Sequence, residues 1–264
     1  MTVSKADDNA VDSAATRAFV DQYGKRATEL PPLAIVIAAY NEEGAIGPVV
    51  EALPSVISGL EVAKIVVSDG SVDSTVKDAE ASGALVCDVQ LNRGQGAALR
   101  LGYRLAREGG AQYIVTTDAD GQYNPSEIEA LMAPILAGQA DFVTGSRTMG
   151  SEETKDPVRK LGVRVFAIVI SALTGQKISD TTFGLRAMRS EVTGAVLLEQ
   201  PQYQAAELLI GVITHGYKVV EVPATIHKRQ VGHSKKGHNA TYALHFIGVI
   251  CRTWWRERQR RARG

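Results

Sequence analysis

The chain has 264 residues, 45% of them hydrophobic and 22% charged, and its 29 basic and 29 acidic side chains give a formal net charge of zero. That length buries a full core, the composition is ordinary for a globular protein, and the charge balance argues against a binder of nucleic acid or other polyanions. Cys87 and Cys251 lie far apart in no metal or redox spacing, which points to a reduced, cytosolic setting.

Residues 1–30 are polar and weakly patterned and read as a flexible leader, with at most one short helix at 14–23. Pro31-Pro32 opens the folded body. Short apolar runs at 33–39, 62–68, 84–90, 112–117 and 141–145 alternate with helix-length segments at 45–53, 73–82, 95–108 and 125–137. This alternation predicts an α/β chain with a single Rossmann-like, mostly parallel sheet flanked by helices. Ligands of such sheets bind at the carboxyl ends of the strands.

A helix is expected over 157–173, with Leu161, Val165, Ile168 and Ala172 on one side. A loop at 175–184, a helix at 202–215, a strand at 218–222 and a basic segment at 228–236 follow. The expected division is leader 1–30, folded body 31–236 and an amphipathic basic C-terminal helix over 237–264. The last segment holds Trp254 and Trp255, and six arginines against one glutamate between 252 and 263. It suits either an anionic membrane surface or packing of the tryptophans on the domain. The longest apolar runs, 165–170 and 246–251, are too short to cross a bilayer. The expectation is a cytoplasmic chain without a transmembrane segment, with peripheral contact at the inner face of the membrane as an open alternative.

The strongest chemical signal is Asp118-Ala119-Asp120-Gly121-Gln122, where an apolar strand runs into two carboxylates spaced by one residue. At a strand end both can face one hard cation, Mg²⁺ or Mn²⁺, shared with a diphosphate. A bare Asp-x-Asp is more often turn chemistry, but three other strand ends are equally polar. They are Ala39-Tyr40-Asn41-Glu42-Glu43, Asp69-Gly70-Ser71-Val72-Asp73-Ser74-Thr75 and Asn92-Arg93-Gly94-Gln95-Gly96, the last leading into a helix N-terminus. Gly94-x-Gly96 also prompts a dinucleotide-dependent oxidoreductase, but Leu99 replaces the third glycine of that fingerprint. The five histidines show no zinc spacing.

In order and spacing these four runs resemble family 2 glycosyltransferases, in particular the dolichyl-phosphate mannose synthase and polyprenyl-phosphate sugar transferase branch. The resemblance spans about 33–236 and includes Gly145-Ser146-Arg147, Asp180-Thr181-Thr182-Phe183-Gly184-Leu185-Arg186 and Arg229-Gln230-Val231-Gly232-His233-Ser234-Lys235. It implies a GT-A fold, an inverting mechanism and a divalent cation, Mg²⁺ or Mn²⁺. It further implies donor contacts from Ala39, Tyr40, Glu42, Asp69, Gly94, Gln95, Asp118 and Ala119, and metal contacts from Asp118, Asp120 and Gln122. Arg147, Arg229, Ser234 and Lys235 would bind the acceptor and Asp120 would be catalytic; if the acceptor is a hydroxyl a base is required, and Asp180 is the candidate.

The expected partners are a nucleotide-diphosphate sugar, GDP- or UDP-linked, and a polyprenyl or dolichyl phosphate. A soluble hydroxyl acceptor, or sugar-nucleotide binding without catalysis, remains the alternative. Departures from the family pattern include Ser68 before Asp69, and Val163 and Ala167 where the lipid-phosphate branch tends to have serine and asparagine. Nothing in the chain encodes the sugar, and a homo-oligomer stays open.

Overall fold

The computed structural model describes residues 5–153, 157–200, 204–228 and 240–262. In chain order its elements are α1 (Lys5–Tyr23), α2 (Lys25–Thr28), β1 (Leu33–Ala39), α3 (Ile46–Ala52), β2 (Val56–Ile57), β3 (Leu60–Asp69), α4 (Thr75–Ala81), β4 (Leu85–Val89) and α5 (Gln95–Glu108). There follow β5 (Tyr113–Asp118), α6 (Ile128–Leu136), β6 (Phe142–Glu152), α7 (Pro157–Thr174), β7 (Arg186–Arg189), α8 (Val192–Ala195), α9 (Gln204–Thr214), β8 (Val219–Ile226) and α10 (Ala240–Arg261).

The strands form one sheet in the order β2-β3-β1-β5-β7-β6-β8, with β4 paired to β3. Strands β4, β3, β1 and β5 run parallel, as do β6 and β8, while β7 lies antiparallel between β5 and β6. β1 shows why the sheet is covered on both faces. Leu33, Ile35 and Ile37 join a core with Ile46, Val50, Ile128 and Leu131, whereas Ala34 and Val36 join the opposite core with Leu101, Tyr103 and Phe19. A strand apolar on both faces must be buried on both.

Strand β7 was not expected. Its four residues, Arg186-Ala187-Met188-Arg189, are too few and too polar to stand out as a strand. Being antiparallel, it begins near the end of β5 and opposite the third residue of β6: Arg186 lies opposite both Thr116 and Thr144. Segment 180–185, which leads into β7, is thereby carried to the ligand edge.

Two further expectations are corrected. Residues 5–23 are not a loose leader; α1 packs against β4, with Phe19 and Asp12 buried and the Tyr23 hydroxyl accepting a hydrogen bond from the Val86 amide at 3.0 Å. Covering a sheet edge in this way satisfies strand donors that would otherwise invite another chain. In α7 the apolar stripe points outward: Leu161 and Ile168 are 64% and 68% exposed, and Val163, Phe166, Ala167 and Ile170 are the residues buried. Ile170 and Phe166 meet α9 and α10 in a third cluster with Ile210, Phe246 and Ile250, and Trp254 packs at its margin. Trp255 is exposed. No helix among the described residues is long and apolar enough to cross a membrane.

Cys87 lies buried on β4 near the Ala15 carbonyl of α1, and burial pushes its thiol up to about 12, whereas Cys251 is exposed. A thiol reagent at neutral pH should therefore label Cys251 alone in the native protein and both cysteines in denaturant, read by mass spectrometry. Fast double labelling in native buffer would mean that α1 does not stay docked.

Candidate active site

The loops after β1 and β3 are laced together. Asn41, in the left-handed region at φ 50°, donates its amide to Ser71 Oγ at 3.1 Å and accepts from the Val72 amide at 2.9 Å through Oδ1. The Glu42 amide donates to Thr75 Oγ1 at 2.8 Å. Ala39 is buried at the strand end and Tyr40 is exposed beside it. Asp69, the last residue of β3, is itself buried. Its Oδ2 accepts from the amides of Arg93 at 3.0 Å and Gly94 at 2.6 Å, so the carboxylate holds the 92–96 loop in place. Burial raises its pKa above the usual aspartate range despite those bonds and the neighbouring Arg93 charge.

Gly96, in the first turn of α5, has no room for a side chain, because a Cβ there would lie 1.9 Å from the Gln200 carbonyl oxygen. The N-cap of α5, Gly94, brings no capping side chain, which leaves this helix start available to an anion. Gln95 Nε2 donates to Asp118 Oδ1 at 3.1 Å, joining this helix start to the end of β5.

At that end Asp118 is half-buried and Ala119 and Asp120 are buried. Asp120 Oδ1 accepts from the Gln122 amide at 3.1 Å and so closes the turn. Gln122 Nε2 donates to the His227 carbonyl at 3.0 Å, and the His227 amide returns a bond to the Gln122 carbonyl at 2.9 Å. The turn is thus tied to the exit of β8. Gly184 faces Asp118 from the other side: a Cβ there would stand 2.7 Å from Asp118 Oδ2 and 2.8 Å from the Tyr123 hydroxyl. That hydroxyl accepts from the Gly184 amide at 2.8 Å.

Two aspartates at one strand end, Asp118 met by the Gln95 side-chain amide and by bare backbone at Gly184, form a hard-oxygen platform that suits Mg²⁺ or Mn²⁺. Among the described residues no three histidine, cysteine, aspartate or glutamate side chains cluster as a metal cage. The remaining positions would therefore fall to diphosphate oxygens and water, the usual arrangement for Mg²⁺ at phosphates.

Midway along β6, Arg147 forms a buried ion pair with Asp180. Arg147 Nε lies 2.6 Å from Asp180 Oδ2, which also accepts from the Arg147 amide at 3.2 Å, and the Asp180 side chain is 0% exposed. Arg147 Nη2 also donates to Thr182 Oγ1 at 3.0 Å, and Nη1 stands 3.6 Å from Glu152 Oε1. Glu221 on β8 accepts from the amides of Ser179 and Asp180 at 2.8 and 2.9 Å, which fixes the loop bearing Asp180. Desolvation raises the Glu221 pKa in spite of those bonds.

The structure therefore brings the residues expected to hold the donor and the metal to one sheet edge and gives Arg147 and Asp180 to each other. Arg229, Ser234 and Lys235 lie outside the described residues. Tyr123, Glu152 and Glu221 were missed by sequence reasoning. Tyr123 had a signal in its place directly after Gln122; Glu221 reads as an ordinary strand charge and Glu152 falls between the expected elements, with nothing local to mark either.

The model of the family described as Glycosyl transferase family 2 matches residues 34–197. A dolichyl-phosphate hexose transferase of Haloferax volcanii is 34% identical over 197 residues, covering 75% of this chain and 83% of the relative. A polyprenol monophosphomannose synthase of Mycolicibacterium smegmatis is 32% identical over 235 residues, covering 80% and 83%. The crystal structure of glucosyl-3-phosphoglycerate synthase from Mycobacterium tuberculosis, in complex with Mn²⁺, UDP and glucosyl-3-phosphoglycerate, matches with a TM-score of 0.66 at 20% identity. That match covers 90% of this chain and 83% of the other, and it is a likeness of fold, the GT-A fold.

Proposed function

The chain belongs to glycosyltransferase family 2, and from that premise we propose that it moves a hexose from a nucleoside-diphosphate sugar to a polyprenyl phosphate. The observation that carries the donor half is the junction of three strand ends through Asp69, the 92–96 loop, Gln95 and Asp118. In this reading Tyr40, Glu42 and Asp69 border the nucleotide, and Asp118 and Asp120 hold Mg²⁺ or Mn²⁺ on the diphosphate. When bound, the cation supplies positive charge to the departing nucleoside diphosphate. The N-terminal amides of α5 add a second positive pole to that side of the site.

The acceptor phosphate oxygen attacks the anomeric carbon, the bond from that carbon to the diphosphate oxygen breaks, and the nucleoside diphosphate leaves with the electron pair. A phosphate monoester is already an anion, so no strong base is required. Arg147, held by Asp180 and Thr182, would orient that anion together with Arg229 and Lys235.

Three features support the lipid carrier over a soluble acceptor. The named activities of the two curated relatives are one. Another is the outward row Leu161, Val165 and Ile168 on α7, which carries no acidic residue and presents Lys160 and Arg164 beside that row. Exposed Trp255, among the arginines of α10, adds a second amphipathic surface of the kind that lies on anionic membranes. Val163 and Ala167 are buried in the helix's packed face with Phe166 and Ile170.

The test is nucleoside-diphosphate release from a panel of UDP- and GDP-sugars with Mg²⁺ or Mn²⁺, with and without a short-chain polyprenyl phosphate. Stimulation of release by the lipid phosphate is expected. Metal-dependent release that ignores the lipid phosphate would transfer the assignment to a hydroxyl acceptor.

A further inference from the structure

Arg93 sits in the middle of the 92–96 loop, and its side chain is only 2% exposed. A cation that deep needs carboxylate partners, and both come from the first half of α1. Arg93 Nη1 lies 3.3 Å from Asp8 Oδ1 and donates to the Asp8 carbonyl at 3.3 Å, while Nη2 lies 2.7 Å from Asp12 Oδ1. The Asp12 contact is off the angle of a hydrogen bond, so its attraction is chiefly Coulombic. The same two aspartates reach Arg100 on α5, at 3.5 Å from Asp8 and 4.0 Å from Asp12.

Arg93 is therefore gripped at both ends. Its guanidinium is held by α1 and its amide by Asp69, and the adjoining Gly94 amide shares the Asp69 carboxylate. The next residue, Gln95, bonds Asp118. A shift of Arg93 would pass along two peptide units to the carboxylate platform.

We infer that α1 is a strap that positions the donor loop through Asp8 and Asp12 on Arg93, a role carried by residues that precede the matched family region 34–197. It rests on the proposed donor role of the 92–96 loop. The strap is separable from the cover that α1 gives to β4. The cover is made by Ala15, Phe19 and Tyr23 in the second half of the helix, whereas Asp8 and Asp12 are one turn apart in the first half.

The experiment compares Asp12→Asn and the milder Asp8→Asn, whose carboxylate is partly exposed, with Leu131→Ala, a core lesion on α6 away from the loop. Two quantities are read well below each variant's melting point: amide hydrogen exchange at Arg93 and Gly94 without ligand, and the Kd for UDP and for GDP with Mn²⁺. Asp12→Asn removes the charge attraction on the Arg93 guanidinium and is expected to speed both amides and weaken nucleotide binding by about tenfold. Leu131→Ala should lower the Tm at least as far and change neither. Wild-type exchange in both aspartate variants, or the same changes in Leu131→Ala, would reduce α1 to a cover for β4. If the wild type binds neither nucleotide, the donor reading fails, and exchange at Arg93 and Gly94 still decides the strap.

Discussion

Asp120→Asn lowers nucleoside-diphosphate release by about 10³-fold, the scale set by removing one preorganised charge from a transition state that develops charge on its leaving group. Asparagine is chosen over alanine for a structural reason. The Asp120 Oδ1 position accepts from the Gln122 amide and closes the turn, and an amide oxygen can still do so. Asp120→Ala would also lose that bond, costing about 1 kcal/mol of stability, and would confuse a loosened turn with a lost ligand. The two variants should share the activity defect and differ in Tm. Mn²⁺ affinity in the presence of UDP, measured by calorimetry, should fall in parallel with turnover in Asp120→Asn. If that variant keeps turnover within tenfold of wild type, Asp120 does not hold the cation, and the platform must be rebuilt around Asp118.

The gathering of the proposed donor residues was legible because parallel strands deliver their carboxyl ends to one edge, and the polar runs at 39–43, 69–75, 92–96 and 118–122 each follow an apolar strand. Local pattern was enough there, since each cluster is contiguous in the chain. The acceptor side was legible only as a list of residues. Arg147 and Asp180 are 33 positions apart, and no local periodicity encodes that they neutralise each other. The antiparallel strand that brings them together is four residues long. The clamp from Asp8 to Arg93 spans 85 positions and begins in a segment whose composition resembles a disordered leader. Helix α7 failed differently. Its apolar stripe was found, but a stripe records amphipathicity and does not say which face meets the core; Phe166 and Ile170, on the other face, carry the packing.

Arg147→Met destabilises the protein by about 3–5 kcal/mol, because it leaves the Asp180 carboxylate buried without its cation. At roughly 2–4 °C per kcal/mol for a chain of this size, the Tm should fall by about 6–20 °C. The double variant Arg147→Met/Asp180→Leu removes that pair and should recover part of the loss, since a buried ion pair is replaceable by apolar groups of similar volume, but not all of it, because the buried Glu152 carboxylate still loses its contact with Arg147. Activity should stay lost in the double variant, which separates the fold's need for neutrality from the reaction's need for an arginine. Asp180→Asn then distinguishes the two acceptor readings. If Asp180 positions Arg147 for a phosphate acceptor, the variant raises the KM for lipid phosphate and leaves the pH profile of kcat unchanged. If Asp180 is the base for a hydroxyl acceptor, kcat falls and the acidic limb of the profile disappears. The geometry favours the first outcome. Asp180 Oδ2 already accepts from both the Arg147 amide and Nε, and a carboxylate so engaged and sealed from solvent must break its ion pair before it can take a proton.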